Sequence, residues 1–167
     1  CSQIWQAEQV DGGFFFHTTC NEQKALDVNG ALAYYGTQIQ IWDKWSNTNK
    51  AQIWSLEKLA SKIEPAPEPT PTPVKPLIED GNYYIKTSLN PNFYLDVAFS
   101  SPADFAKVQL YSQWSKENKA QIWNIKHLGN NKYQIKSSLS GKLLSFNLNN
   151  VSNNEPVFLL SERNNNC

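Results

Sequence analysis

The chain has 167 residues, which suffices for one domain with or without a linker. Fifteen basic and fifteen acidic residues cancel, and no basic stripe runs along the sequence, which argues against an electrostatic nucleic-acid footprint. No apolar run is long enough to cross a bilayer, and none has the makeup of a signal peptide. Met is absent even at position 1, which predicts a processed or engineered fragment rather than a full reading frame.

Short apolar or aromatic runs separated by Gly, Asn, Ser and Pro predict strands. In chain order they are Gln3-Ile4-Trp5, Phe14-Phe15-Phe16, Ala25-Leu26-Asp27-Val28, Ile39-Gln40-Ile41-Trp42 and Gln52-Ile53-Trp54. A proline-rich segment, 64–76, follows with six of the nine prolines. Alternating Pro removes backbone donors and favours an extended polyproline II spacer reaching roughly 40 Å. Beyond it come Tyr83-Tyr84-Ile85, Tyr94-Leu95-Asp96-Val97, Val108-Gln109-Leu110-Tyr111 and Gln121-Ile122-Trp123. The last runs are Tyr133-Gln134-Ile135, Leu143-Leu144-Ser145-Phe146 and Val157-Phe158-Leu159-Leu160. No stretch keeps a helical period.

The tripeptide Gln-Ile-Trp occurs three times. Trp5 to Trp54 is 49 residues and Trp54 to Trp123 is 69. Counted through Cys167 back to Cys1, Trp123 to Trp5 is again 49. The spacer accounts for the longer step. The pattern predicts three pseudo-symmetric units of four strands, 12–54, 81–123, and 129–167 completed by 1–5. Twelve strands so arranged form an all-β design that limits exposed edges. The three Trp, kept in all units, are expected in a shared core, with Gln3, Gln52 and Gln121 bridging nearby backbone. Cys20 fills the slot of Leu89 and Leu139, which predicts a buried thiol. His17 aligns with Lys86 and Lys136, which predicts a solvent-facing strand position.

With three Gln-x-Trp copies and Leu-Asp-Val upstream in two, the chain resembles the ricin-type lectins, β-trefoil domains whose units each end in Gln-x-Trp. The likeness covers nearly everything outside the spacer. Members usually begin at a strand like Gly81-Asn82-Tyr83-Tyr84-Ile85, which here lies mid-chain. The resemblance therefore implies a single, circularly permuted β-trefoil domain over 1–167, with 64–76 tying the usual ends together. It would bring Cys1 and Cys167 near each other, where a disulfide would reclose the cut loop. The same pair could instead join neighbouring molecules. An N-terminal Cys also occurs in mature bacterial lipoproteins and in intein or ligation chemistry.

Sites in this family combine an aspartate ending the second strand, an aromatic near the third, a Gln two residues before it and an amide pair before the final Trp. Such a site stacks a sugar's C–H face on the ring and gives its hydroxyls a charged acceptor. Unit one supplies Asp27, Gln40, Trp42, Trp45, Asn49 and Gln52; unit two supplies Asp96, Gln109, Tyr111, Trp114, Asn118 and Gln121. Unit three has Ser145, Phe158 and Leu160 instead, and is expected to keep a structural role only. The family often places Asn before the last Gln, where this chain has Ala51 and Ala120. The plain alternative for Asp27 and Asp96 is turn capping at a strand end.

No Ser-His-Asp or Cys-His arrangement and no metal-ligand cluster is legible; His17 and His127 lie in unrelated places. Paired glycosidase carboxylates are not expected either, since Asp27 and Asp96 fall in separate units. The implied function is a non-enzymatic, cofactor-free lectin module for galactose- or GalNAc-type glycans with two shallow sites. It would be secreted or at the cell surface of a bacterium, as part of a larger enzyme, toxin or adhesin. A trefoil for protein interaction or structural spacing, with decayed sugar sites, and a cell-wall or xylan-binding module stand as alternatives. The spacer either closes one trefoil or lets chains swap units, leaving a domain-swapped or disulfide-linked oligomer open.

Overall fold

The computed structural model describes residues 2–60 and 75–163. Most of the predicted spacer, together with Cys1 and Cys167, lies outside the described residues. Those described are all-β. The strands are β1 (Trp5–Val10), β2 (Gly13–Thr18), β3 (Lys24–Val28), β4 (Ile39–Asp43) and β5 (Trp54–Lys58). They continue as β6 (Gly81–Thr87), β7 (Phe93–Val97), β8 (Val108–Ser112), β9 (Trp123–Gly129) and β10 (Lys132–Ser137). Last come β11 (Leu143–Ser145), the two-residue β12 (Glu155–Pro156) and β13 (Phe158–Leu160). No described helix is long and apolar enough to cross a membrane.

Six strands close a barrel. β1 pairs with β2, β2 with β5, β5 with β6, β6 with β9, β9 with β10, and β10 with β1, all antiparallel. The hairpins β3–β4, β7–β8 and β11–β13 stand outside it. This is a β-trefoil. Alternation writes the barrel into the sequence: in β1, Trp5 and Ala7 are buried while Gln6 and Glu8 are not, the period of a half-buried strand.

Trp5, Trp54 and Trp123 sit fully buried in one core cluster. Each indole donates to a second-strand carbonyl. The bonds run from Trp5 Nε1 to Leu144 O (3.0 Å), Trp54 Nε1 to Leu26 O (3.1 Å) and Trp123 Nε1 to Leu95 O (2.9 Å). A buried indole N–H without such a partner would be costly, which explains why the same carbonyl is used each time. The Gln two places earlier ties the turn: Gln3 Nε2 donates to Ser161 O (3.0 Å), Gln52 Nε2 to Asp43 O (2.9 Å) and Gln121 Nε2 to Ser112 O (2.9 Å). The three Gln-Ile-Trp runs are thus not strands in themselves. The Gln belongs to the turn and the strand starts at the Trp. The count differs from twelve because β12 adds a short pairing to β4.

Gln3 also joins the two described ends of the chain, since Arg163 N donates to its Oε1 (3.0 Å). β5 and β6 pair from Trp54↔Thr87 to Lys58↔Tyr83, which sets Lys58 and Tyr83 side by side at one end of the barrel.

Two expectations fail. Cys20 is exposed, because its slot lies at the rim: Leu89 and Leu139 only partly pack against the core, and the shorter thiol stays in the turn after β2. His17 is buried, at 5 % exposure, because Glu8 on β1 covers it and bonds its Nε2 (2.8 Å). Burial pulls its pKa down, against the opposing bond to Glu8.

Candidate functional site

The outer hairpins place the chemistry. In β3–β4, Asp27 pairs with Gln40 and Ala25 with Trp42, while Leu26 and Ile41 between them enter the core. In β7–β8, Asp96 pairs with Gln109 and Tyr94 with Tyr111, while Leu95 and Leu110 enter the core. Strand alternation therefore puts each carboxylate, its amide and its aromatic on the face away from the core. Gln40 Nε2 donates to Asp27 Oδ1 (2.8 Å) and Gln109 Nε2 to Asp96 Oδ1 (3.0 Å).

Each carboxylate lies at the edge of a cleft. The first, of about 310 Å³, is lined by Asp27, Gln40, Trp42, Trp45 and Asn49, with Gly30 and Ala51 beside them and Asn154 from unit three. The second, of about 140 Å³, is lined by Asp96, Gln109, Tyr111, Trp114 and Asn118, with Phe99 and Ser100. Trp45 and Trp114 are exposed, at 60 % and 69 %, and Trp114 packs on Tyr111 with centroids 5.3 Å apart. Asn49 and Asn118 reach the clefts although they stand two places before Ala51 and Ala120. Their Oδ1 atoms accept from Ala51 N and Ala120 N (both 3.1 Å), so each side chain holds its turn as well as lining its cleft.

Gln52 and Gln121 were expected among the sugar contacts but line neither cleft. Both are fully buried and hold the turn before their Trp. Gln52 Oε1 accepts from Trp45 N (3.0 Å) while its Nε2 is engaged with Asp43 O, so it positions Trp45 from behind.

Asp27 and Asp96 are nearly buried, at 6 % and 4 % exposure. Burial pushes the Asp27 carboxyl up to about 6, against the amide of Gln40. Burial likewise raises Asp96, against Gln109. A desolvated carboxylate next to exposed aromatic faces suits a ligand with both hydroxyls and an apolar face. Among the described residues no group of three or more His, Cys, Asp or Glu is placed to hold a metal ion.

Unit three has neither a carboxylate nor an amide at these positions. Ser145 is fully buried, accepts from Gln3 Nε2 (3.3 Å) and donates to Leu143 O (2.9 Å). Leu160 is buried, and Phe158 packs on Phe105 with centroids 5.2 Å apart.

Sequence reasoning missed the turn after the second strand, Asn29–Ala31 in unit one and Ala98–Ser100 in unit two. Gly30 and Phe99 are equivalent there and both are left-handed, φ 64° and 55°. Phe99 is fully exposed and lines the second cleft where Gly30 lines the larger first one. An exposed Phe in a left-handed turn carries strain that a Gly would not, and the sequence offered only the alignment of Phe99 with Gly30 as a pointer to that turn. Asn154 gave no local signal, being far in sequence from Asp27.

The family model of ricin-type β-trefoil lectin domain-like proteins matches residues 74–160. No curated protein sequence matches the chain. Among solved structures it is similar to ThreeFoil, a designed 3-fold symmetric protein, with TM-score 0.68 and 21 % identity, over 98 % of this chain and 92 % of that one. An exo-β-1,3-galactanase from Clostridium thermocellum gives TM-score 0.65 and 19 % identity, over 97 % of this chain but only 28 % of the galactanase. The C-half of an earthworm R-type lectin in complex with GalNAc gives TM-score 0.54 and 15 % identity, over 98 % of this chain and 92 % of that one. The matched family and these folds support a carbohydrate-binding module. On the strength of the family match, over half of its length, the chain belongs to the ricin-type β-trefoil lectin domain-like family.

Proposed function

We propose that the chain is a lectin module for galactose- or GalNAc-type glycans, with one site in each cleft. The observation that carries this reading is the Asp27–Gln40 pair at the edge of a cleft also lined by Trp42, Trp45 and Asn49. A galactose-type ring has an axial O4, which leaves one face apolar for a Trp and sets neighbouring hydroxyls toward a single carboxylate. The GalNAc complex of the earthworm lectin agrees with that preference.

The chain order reads as a circular permutation, and the bonds between Gln3 and Ser161–Arg163 are what a cut in unit three would leave. The likeness to 28 % of a galactanase fits a module within a larger enzyme, and a secreted or surface location is part of the same proposal.

Calorimetry with galactose, lactose and xylan fragments, beside a glycan array, tests the function. Asp27→Ala with Asp96→Ala is expected to abolish binding while the circular dichroism spectrum is kept. Unchanged binding sinks the site assignment. Binding of xylan fragments in place of galactose moves the preference to cell-wall glycans.

A further inference from the structure

In each unit the loop between the second and third strands reaches across to the next hairpin around the barrel. Gly36, Phe105 and Asn154 hold one and the same place in that loop. They are separated by 69 and 49 residues, the steps of the Gln-Ile-Trp copies, and all three are left-handed, with φ 77°, 63° and 66°. Each abuts the Gln position of the neighbouring unit. A Cβ at Gly36 would lie 3.7 Å from Gln109 Oε1. Phe105 packs on Phe158. Asn154 lines the cleft that holds Gln40 and Asp27.

The loop carrying Asn154 is pinned. Asn153 Oδ1 accepts from Lys24 Nζ (2.7 Å) and Asp43 N (2.8 Å), and its Nδ2 donates to Asp43 Oδ2 (2.8 Å). Glu155 and Pro156 pair with Ile41 and Gln40. The equivalent contact uses Asp104 with Lys142 (2.8 Å) between units two and three, and Tyr35 on Phe93 (centroids 5.3 Å) between units one and two. The reach is the same in all three places while the chemistry differs.

We propose that Asn154 is a ligand-contacting residue of the unit-one cleft, lent by the unit that has no carboxylate of its own. Its amide both donates and accepts, so it serves a ring hydroxyl of the sugar that Asp27 holds. At the same place Gly36 leaves the unit-two cleft without that group, and the two clefts therefore grip the same sugar unequally. The assignment rests on the clefts being sugar sites.

Gly adopts a φ of 66° without strain, so Asn154→Gly removes the amide and keeps the loop. In an Asp96→Ala background only the unit-one cleft reports. There, Asn154→Gly is expected to weaken galactose or GalNAc binding about three- to tenfold in calorimetric or NMR titration, the loss of one hydrogen bond. In an Asp27→Ala background, Gly36→Asn is expected to tighten binding at unit two, since Asn tolerates a left-handed φ. Unchanged affinity on Asn154→Gly, in an Asp96→Ala protein that does bind sugar, overturns the assignment and leaves the lectin reading intact. An Asp96→Ala protein that binds neither sugar overturns both.

Discussion

Asp27 weakens the fold that holds it. Folding raises its pKa from an ordinary 3.8 to about 6, so the folded state keeps the proton more tightly than the unfolded chain. Stability therefore falls as pH rises between those values, and the whole cost is present above pH 6. At about 1.4 kcal/mol per pKa unit this is about 3 kcal/mol at most, less what residual hydration recovers. Asp27→Asn is expected to raise the unfolding free energy at pH 7 by about 1–3 kcal/mol, with the gain gone at pH 4, in paired urea titrations. Sugar affinity at unit one should move the other way. It should weaken in the wild type as pH drops below 6, when the acceptor is protonated, and stay weak at every pH in the variant. Asp27, Gln40 and Trp42 were picked out by the family resemblance, and strand alternation is the physical reason they share a face. Gln52 carried two expectations, a backbone bridge and a sugar contact, and its side chain is engaged with Asp43 O and Trp45 N, which is the bridge.

At the level of elements, the barrel seam between β2 and β5 rests on one pair, Phe14↔Trp54. Gly13 stands next to it with φ 153°, and a Cβ there would meet the Trp54 carbonyl oxygen at 2.3 Å. The obstacle is backbone and cannot swing away. Gly13→Ala is expected to destabilise by about 3 kcal/mol or more, seen as a lowered midpoint in thermal unfolding. A midpoint like that of the wild type would mean that the seam can shift to accept a methyl group. Element types were readable from the aromatic and β-branched runs. The strand starts were not, because Ile4, Ile53 and Ile122 carry the apolar run back into the turn that each Gln, as expected, bridges to backbone. His17 was misplaced for a related reason: the repeat aligns it with lysines, and only the packing of β1 reveals Glu8 over it.

For the whole molecule, two clefts on one rigid trefoil predict bivalent attachment. Asp27→Ala or Asp96→Ala alone should cut retention on a galactose-dense surface by about tenfold or more, while the remaining cleft binds free sugar as before. Surface plasmon resonance set beside calorimetry separates the two effects, and equal retention by both single variants and the wild type would mean that the sites act independently. The closed all-β plan was visible in the circular spacing of Trp5, Trp54 and Trp123. The exchange of loops between neighbours was not, because Asn154 and Asp27 share a cleft without sharing any local pattern. A trefoil grown by triplication would begin with three equal pockets, each already built from two copies. Decay of one pocket then releases only half of its copy from selection. If unit three bears no site of its own, a change at Asn153, which bonds Lys24 and Asp43, would still reach the unit-one cleft, so a substitution in one unit would retune a neighbour that has itself not changed.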